Sequence, residues 1–502
     1  MSILGDIRLD SVLLRLVTAM TTRLTVIIRK LGDNHKEQIC YDRFINNKKV
    51  TPNKIVALLS KQSQVGCADK HVLLINDTTA ASFGITANRG LIGHVGESKK
   101  ITGFYSHPAI GVDAATGGCL GLFGIDVWYR PYIETQDTSQ LSKEEQEQLK
   151  KASKKARRHA VYETPFEDKE SYRWLSVVKK AVENCSVATR YTAVGDRESD
   201  IYEAMSGFKQ VEIDFVIRSS KDRNLSKPSK NPQKEGLLID EQEDEEAIHE
   251  KLYEKLNACS IVHTYEIDLP KTNQRSAHKA KVALKFCPVT LKCPDSKQKK
   301  GYLKELPIYA VEITEYSDSV VGNEKPIHWI LLTSHPVETI EQALEIIRWY
   351  RYRWIIEQSF RTTKTKGLAI ESSQAKSYEA LAILITLALI AAVQVMQLVQ
   401  AREGQTNQSI ESVFSPIEIT CLEQLNKQLE GKTAKQQNPH PQNTLAYASW
   451  VIARLGGWSG FKSQRPPGPI TMQDGMIRFY NILVGFEIKL QNYDVNELVY
   501  AL

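Results

Sequence analysis

Residues 346–367 read IIRWYRYRWIIEQSFRTTKTKG. Within them Tyr350, Arg353, Glu357 and Lys364 follow a fixed spacing: Tyr, two residues, Arg, three residues, Glu, six residues, Lys. At about 100° per residue, a continuous helix would point them at about 0°, −60°, −20° and −40°, one narrow stripe. Arg361 at about +20° and Trp354 at about +40° widen that face with a cation and an aromatic ring. A solvated face laced with ion pairs reads the same way in many basic helices. A carboxylate flanked by Tyr, Arg and Lys is also what phosphodiester chemistry requires, a metal ligand beside groups that hold phosphates.

Two further carboxylates stand where such a ligand could find partners. Asp77 closes the short apolar run HVLLIND and Asp196 closes RYTAVGD, both with the texture of buried strands. Taken singly, each fits a turn or cap aspartate equally well. Together with Glu357 they form a set of three acids able to hold two magnesium ions, since magnesium takes a few carboxylate oxygens and completes its shell with water and substrate oxygens.

The rest of the chain sets the frame. At 502 residues, with 42% hydrophobic and 25% charged, it is an ordinary globular mixture of several domains, neither disordered nor fibrous. The formal charge of +6 and pI near 8.6 permit a nucleic-acid partner without demanding one. Eight cysteines form no CxxC pair, which fits a reduced, cytosolic chain. The apolar stretch from Ala380 to Val393 is shorter than the roughly 20 residues of a spanning helix and reads as a buried core helix, so no membrane partner is expected.

Composition shifts divide the chain into a helical segment at 1–65, where Leu4, Val12, Leu13, Leu16 and Val17 recur at helical spacing; a mixed α/β segment at 66–205; a β-rich insertion at 206–325; a return to the core with the signature helix at 326–375; and a helical segment at 376–502. Two charged stretches stand out. The basic run Lys150, Lys151, Lys154, Lys155, Arg157, Arg158 and His159 reads first as a solvated helix or loop and second as a phosphate-contacting surface, and EGLLIDEQEDEEAIHEKL is an acidic insertion expected to be exposed.

The three acids and the signature spacing resemble the catalytic set of the DDE transposases, within them the IS-four group that carries the YREK signature. The resemblance extends through LGDIR, RFINN followed by VTPNKI, INDTT at Asp77, DRESDI at Asp196, HWILLTSHPVE, the signature stretch and ARLGGWSG. It implies an α/β fold, a ribonuclease-H-like catalytic core with a β-rich insertion, flanked by an N-terminal helical DNA-binding domain and a C-terminal helical dimerisation domain. Asp77, Asp196 and Glu357 would be metal ligands for two magnesium ions, with manganese as a substitute. Tyr350, Arg353, Lys364, Arg361, Arg218, Arg8 and Arg43 would contact phosphates, with Trp354 beside them. Trp329 would stack on a base flipped from the duplex, where a packed core tryptophan is the plainer alternative. Glu198 and Asp200 would support Asp196 or form structural ion pairs.

The implied reaction is magnesium-dependent hydrolysis at a transposon end, hairpin formation by the freed 3′-hydroxyl, hairpin opening and strand transfer. Its partners would be double-stranded DNA, as terminal inverted repeats and target, and a second subunit in a synaptic homodimer. The expected location is the cytoplasm of a bacterium, at the nucleoid. Leu9 and Val12 stand where the family often carries basic residues, and the chain begins almost at LGDIR, where relatives often have an extra segment. Both departures keep a truncated or inhibitory derivative that dimerises and binds DNA without catalysis as an alternative, and a ribonuclease-H-like nuclease without strand transfer as a third.

Overall fold

The computed structural model describes residues 3–83, 92–96, 101–131, 142–226, 251–269, 271, 275–364, 367–461 and 463–500. The acidic insertion falls almost entirely outside the described residues, as do the side chains of Lys150, Lys155, Arg157, Arg158 and His159 in the basic run.

In chain order the helices are α1 (Ile7–Arg23), α2 (Ile28–Leu31), α3 (His35–Ile45), α4 (Pro52–Ser63), α5 (Lys143–Glu163), α6 (Arg173–Asn184), α7 (Tyr202–Gln210), α8 (Leu252–Ala258), α9 (Ile340–Arg351), α10 (Trp354–Lys364), α11 (Tyr378–Ala401), α12 (Pro416–Leu429), α13 (Leu445–Leu455) and α14 (Pro469–Tyr500). The strands are β1 (His71–Asn76), β2 (Thr79–Phe83), β3 (Gly93–His94), β4 (Thr102–Asp113), β5 (Cys119–Trp128), β6 (Arg190–Gly195), β7 (Asp214–Arg218), β8 (His263–Leu269), β9 (His278–Lys292), β10 (Glu305–Glu315) and β11 (His328–Thr333). This is the mixed α/β class expected from the sequence, consistent with a ribonuclease-H-like core. The chain divides into two compact units, Met1–Gln136 with Ser176–Tyr191 and Tyr352–Leu502, and Asp137–Leu175 with Thr192–Arg351.

In the first unit the long strand β4 is the organiser. It pairs antiparallel with β1, β2, β3 and β5. Every residue of β1 after His71, and every residue of β4 after Thr102, is buried, the pattern of strands covered on both faces. Helices α4 and α11 pack on β5. Gly124 of β5 lets the backbone of α6 come close, since a Cβ there would lie 2.6 Å from the Val177 carbonyl oxygen. Among the described residues α11 is the one helix long and apolar enough to cross a membrane. Of its most apolar window 94% is buried within the protein, which makes it the core helix expected from its composition. Each fully buried Leu, Ile or Val on it contributes about 1.5–3 kcal/mol.

At the start of the chain Asp6 caps α1, its carboxylate accepting the Arg8 amide 2.9 Å away. Val12 is buried with Leu13, Leu16, Val17 and Met20, and Leu9 is half-buried. Val12 therefore packs the helix into the core, with Leu9 half-buried beside it.

In the second unit residues 192–195 of β6 run parallel to β7, and β7 pairs antiparallel with β11. From β11 the order continues through β10 and β9 to β8, all antiparallel. The long helix α5 begins at a capping box between Ser142 and Glu145 and exposes Lys151 and Lys154, Lys151 lying 3.2 Å from Glu147.

Candidate active site

Strand β1 ends at Asn76, and the next residue, Asp77, is fixed by its own turn: its Oδ1 accepts the Thr78 amide at 2.7 Å. Its Oδ2 accepts Arg353 Nη1 at 3.1 Å, across 276 positions of chain. Arg353 Nη2 donates to Glu357 Oε1, so one guanidinium bridges two carboxylates. The three side chains are 19% (Arg353), 15% (Asp77) and 33% (Glu357) exposed, sheltered yet open to solvent. Two carboxylates against one guanidinium leave a formal charge of −1. Hard carboxylate oxygens already converged on one cation are a donor set that suits magnesium or manganese, so Asp77 and Glu357 fit such an ion. Among the described residues no three His, Cys, Asp or Glu side chains gather into a ready-made metal cluster.

The expected continuous stripe from Tyr350 to Lys364 is broken. Helix α9 stops at Arg351, Tyr352 and Arg353 form a turn, and α10 starts at Trp354 with tight bonds from the Ile355 amide to the Tyr352 oxygen (2.9 Å) and the Ile356 amide to the Arg353 oxygen (3.2 Å). No proline or glycine in this stretch causes the break. The Tyr352 ring packs over Gly117, the turn residue between β4 and β5, where a Cβ would lie 2.6 Å from the ring and φ is +75°. Any side chain there would collide with the ring and strain the left-handed backbone, so Gly117 makes room for the turn that precedes Arg353.

On α10 Trp354, Glu357 and Arg361 line one cleft of about 920 Å³. Lys364 is half-buried at the end of the helix, and burial pushes its ammonium pKa down, with Glu371 opposing the shift. Glu371 is itself held by the Ser82 amide and hydroxyl, each at 2.9 Å.

In the second unit Asp196 follows β6 and caps the short turn Arg197–Ser199, its Oδ1 accepting the Glu198 amide at 2.8 Å. Gly195 admits the turn, since a Cβ there would lie 2.3 Å from Ser199 Oγ. Asp200 is the anchor of this loop. Its carboxylate accepts Arg223 Nε at 2.7 Å, Arg223 Nη2 and the Ser220 amide at 2.8 Å, while its carbonyl oxygen accepts Lys221 Nζ at 3.0 Å. Glu198 is exposed.

Trp329 on β11 is half-buried. Its ring meets Tyr350 edge-on at 5.3 Å between centroids, and the Arg218 guanidinium lies 5.9 Å from it. Arg218 Nη2 donates to the His328 carbonyl oxygen at 3.1 Å. Tyr350 is 4% exposed, so its ring is a packing element of α9 against Trp329. Arg8 is exposed and paired with Asp6 at 2.8 Å. Arg43 is exposed on α3, lining with Arg29, His35 and Lys376 a separate cleft of about 610 Å³.

The structure thus joins Asp77, Arg353 and Glu357 in the first unit, and Trp329, Arg218 and Tyr350 in the second. Arg223 was missed from sequence. Its signal is faint, a basic residue following the strand that ends at Arg218, and only folding brings it to Asp200.

Among solved structures, a similar chain is the piggyBac transposase in a synaptic complex with hairpin DNA, with a TM-score of 0.32 and 9% identity, covering 81% of this chain and 69% of that one. The overlay is too loose to define the fold or the function. Residues 177–394, which contain Asp196, Arg218, Trp329 and the whole stretch from Tyr350 to Lys364, match the family model of the transposase DDE domain.

Proposed function

We propose that the protein is a DNA transposase of the DDE type, of the IS-four group whose YREK spacing its residues carry, which cuts transposon ends and joins the 3′-hydroxyls to target DNA. The observation that carries this reading is the convergence of Asp77 and Glu357 on Arg353, within a chain whose residues 177–394 match a transposase DDE domain. Asp77 and Glu357 would hold a divalent cation, magnesium or manganese. Asp196, at the end of β6, is the third acid expected from sequence. A bound cation supplies charge neutralisation on the scissile phosphate and a lowered pKa for the attacking water or hydroxyl.

The chain's own side chains do the rest. Arg353 keeps the two carboxylates converged, and its guanidinium would be a donor for phosphate oxygens of bound DNA. Arg361 and Lys364, on the same helix as Glu357, add positive charge along the strand. Trp329, half-buried beside Arg218, keeps a ring able to stack on a displaced base, which a hairpin intermediate needs. Terminal repeats and target as duplex partners, pairing of two subunits through the C-terminal helices, two ions per site and a place at the bacterial nucleoid complete the reading. Incubation with magnesium and a duplex ending in the element's own terminal repeat should give cleavage at the repeat. Undiminished cleavage by Glu357→Gln would overturn the proposal.

A further inference from the structure

The cleft of about 920 Å³ that begins at Glu357 has a second wall that the chemistry above does not use. It is formed by the end of α11 with residues 456–458 and 464–471, and it contributes Arg402, Arg465 and Trp458 to the cleft that Arg361 and Trp354 also line. Three arginines and two tryptophans therefore face a space whose lining, among the described residues, includes a single acid, Glu357.

This wall is built. The motif ARLGGWSG is explained by it: a Cβ on Gly456 would lie 2.0 Å from the Thr471 carbonyl oxygen, so only glycine lets α13 end against α14, and Gly457 and Gly460 take φ values of +92° and +86°. Arg454 donates to the Ser459 and Trp458 carbonyl oxygens, and to that of Leu429 at 3.1 Å, fastening the loop to α12. Arg402 Nη1 donates to the Pro467 carbonyl oxygen at 3.0 Å, fastening it to α11. One donor of this wall, the Trp458 indole N–H, is buried without a hydrogen-bond acceptor among the described residues, while Arg402 Nε lies 3.5 Å from Glu403 Oε1. A wall that brings arginines and tryptophans to one space matches one ligand chemistry, an unstacked nucleotide strand with phosphate and π-face together.

We infer that this cleft is a single-stranded DNA channel, in which Arg465 and Arg402 contact backbone phosphates and Trp458 contacts a base of the strand that runs to Glu357. The inference rests on the transposase reading and extends it to the segment after α13. Arg465 is the residue to test, since it is exposed while Arg402 also holds the loop.

The probe is oligothymidylate, titrated against the full-length protein over a range of salt, with Arg465→Gln, Arg465→Lys and the control Lys427→Gln, an exposed position on α12. Removing the cation from one phosphate predicts a log–log salt slope shallower by about 0.7 and roughly fourfold weaker binding at about 0.15 M salt. That result for Arg465→Gln, with Arg465→Lys and Lys427→Gln at wild-type values, supports the channel, as does a photo-crosslink from 5-iododeoxyuridine oligonucleotide to the peptide containing Trp458. Wild-type binding by Arg465→Gln, equal weakening in Lys427→Gln, or crosslinks confined to other peptides would overturn it. If the wild type still cleaves end DNA in those cases, the transposase reading stands and the channel alone falls. A wild type that neither binds nor cleaves any DNA brings down both.

Discussion

In the first unit Arg353 bridges Asp77 and Glu357, with side chains 15–33% exposed, and in the second Arg223 meets Asp200 at 9% and 0% exposed. The groups are the same, a guanidinium and carboxylates, and burial separates their uses. The Asp200 carboxylate is saturated by Arg223 and the Ser220 amide and has no route to an incoming ion, so its work is to hold the loop that begins at Asp196. The Asp77 and Glu357 carboxylates are linked through one shared guanidinium and keep partial access to solvent, which is the access that the proposed ion and phosphate would require. A fully exposed pair is worth about 0–1 kcal/mol and breaking a buried pair costs about 3–5 kcal/mol, so the part-buried Arg353 cluster falls between the two and the Asp200 pair at the upper end.

The sharpest way to break this contrast is chemical. If Glu357 holds a cation as proposed, Glu357→Gln should lower cleavage of end DNA by about a thousandfold or more, because the charge that would hold the ion is lost, while the melting temperature stays near that of wild type. A large melting shift would mean that Glu357 is structural, like Asp200. The converse test is Arg223→Ala, expected to cost about 3–5 kcal/mol in urea unfolding by leaving Asp200 buried and unpaired. A loss under about 1 kcal/mol would place both clusters in the same class.

Smaller effects sharpen the picture around the two clusters. Gly456→Ala should cost about 1–3 kcal/mol by driving a methyl group into the Thr471 carbonyl, and unchanged stability would show that α13 and α14 can separate without penalty. Trp329→Ala should leave the first nick intact and slow hairpin formation by roughly tenfold, within the worth of one base–aromatic stack, and equal slowing of both steps would count against stacking. Least of all, neutralising Lys154, Lys155, Arg157 and Arg158 on α5 should flatten the salt dependence of DNA binding by at most about 0.9 for each phosphate that these cations neutralise. An unchanged slope would leave that helix a solvated surface.

Much of this was legible in the residues. HVLLIND and RYTAVGD hold strands that stop one residue before their aspartates, because a short apolar run closed by a polar residue has few other ways to bury itself. The composition of residues 380–393 identified a core helix, and the runs at His263–Leu269, His278–Lys292, Glu305–Glu315 and His328–Thr333 are consecutive strands. The single stripe through Tyr350 and Glu357 was not: helical angles assume an unbroken axis, and the turn at Tyr352 comes with a ring packed on Gly117, far away in sequence. The second wall of the Glu357 cleft was equally hidden, since Arg465 in QRPPG has no local feature to distinguish it from any loop arginine.

Residue order was enough for whatever depends on local periodicity and composition: the strands, the core helix and the glycine-marked turns. Packing had to supply everything that depends on distance through space. It brought Arg353 to Asp77 across 276 positions, sealed Asp200 from solvent and left Glu357 open. A carboxylate's role is set by its desolvation and its neighbours, and both come from chain segments that lie far away in the sequence.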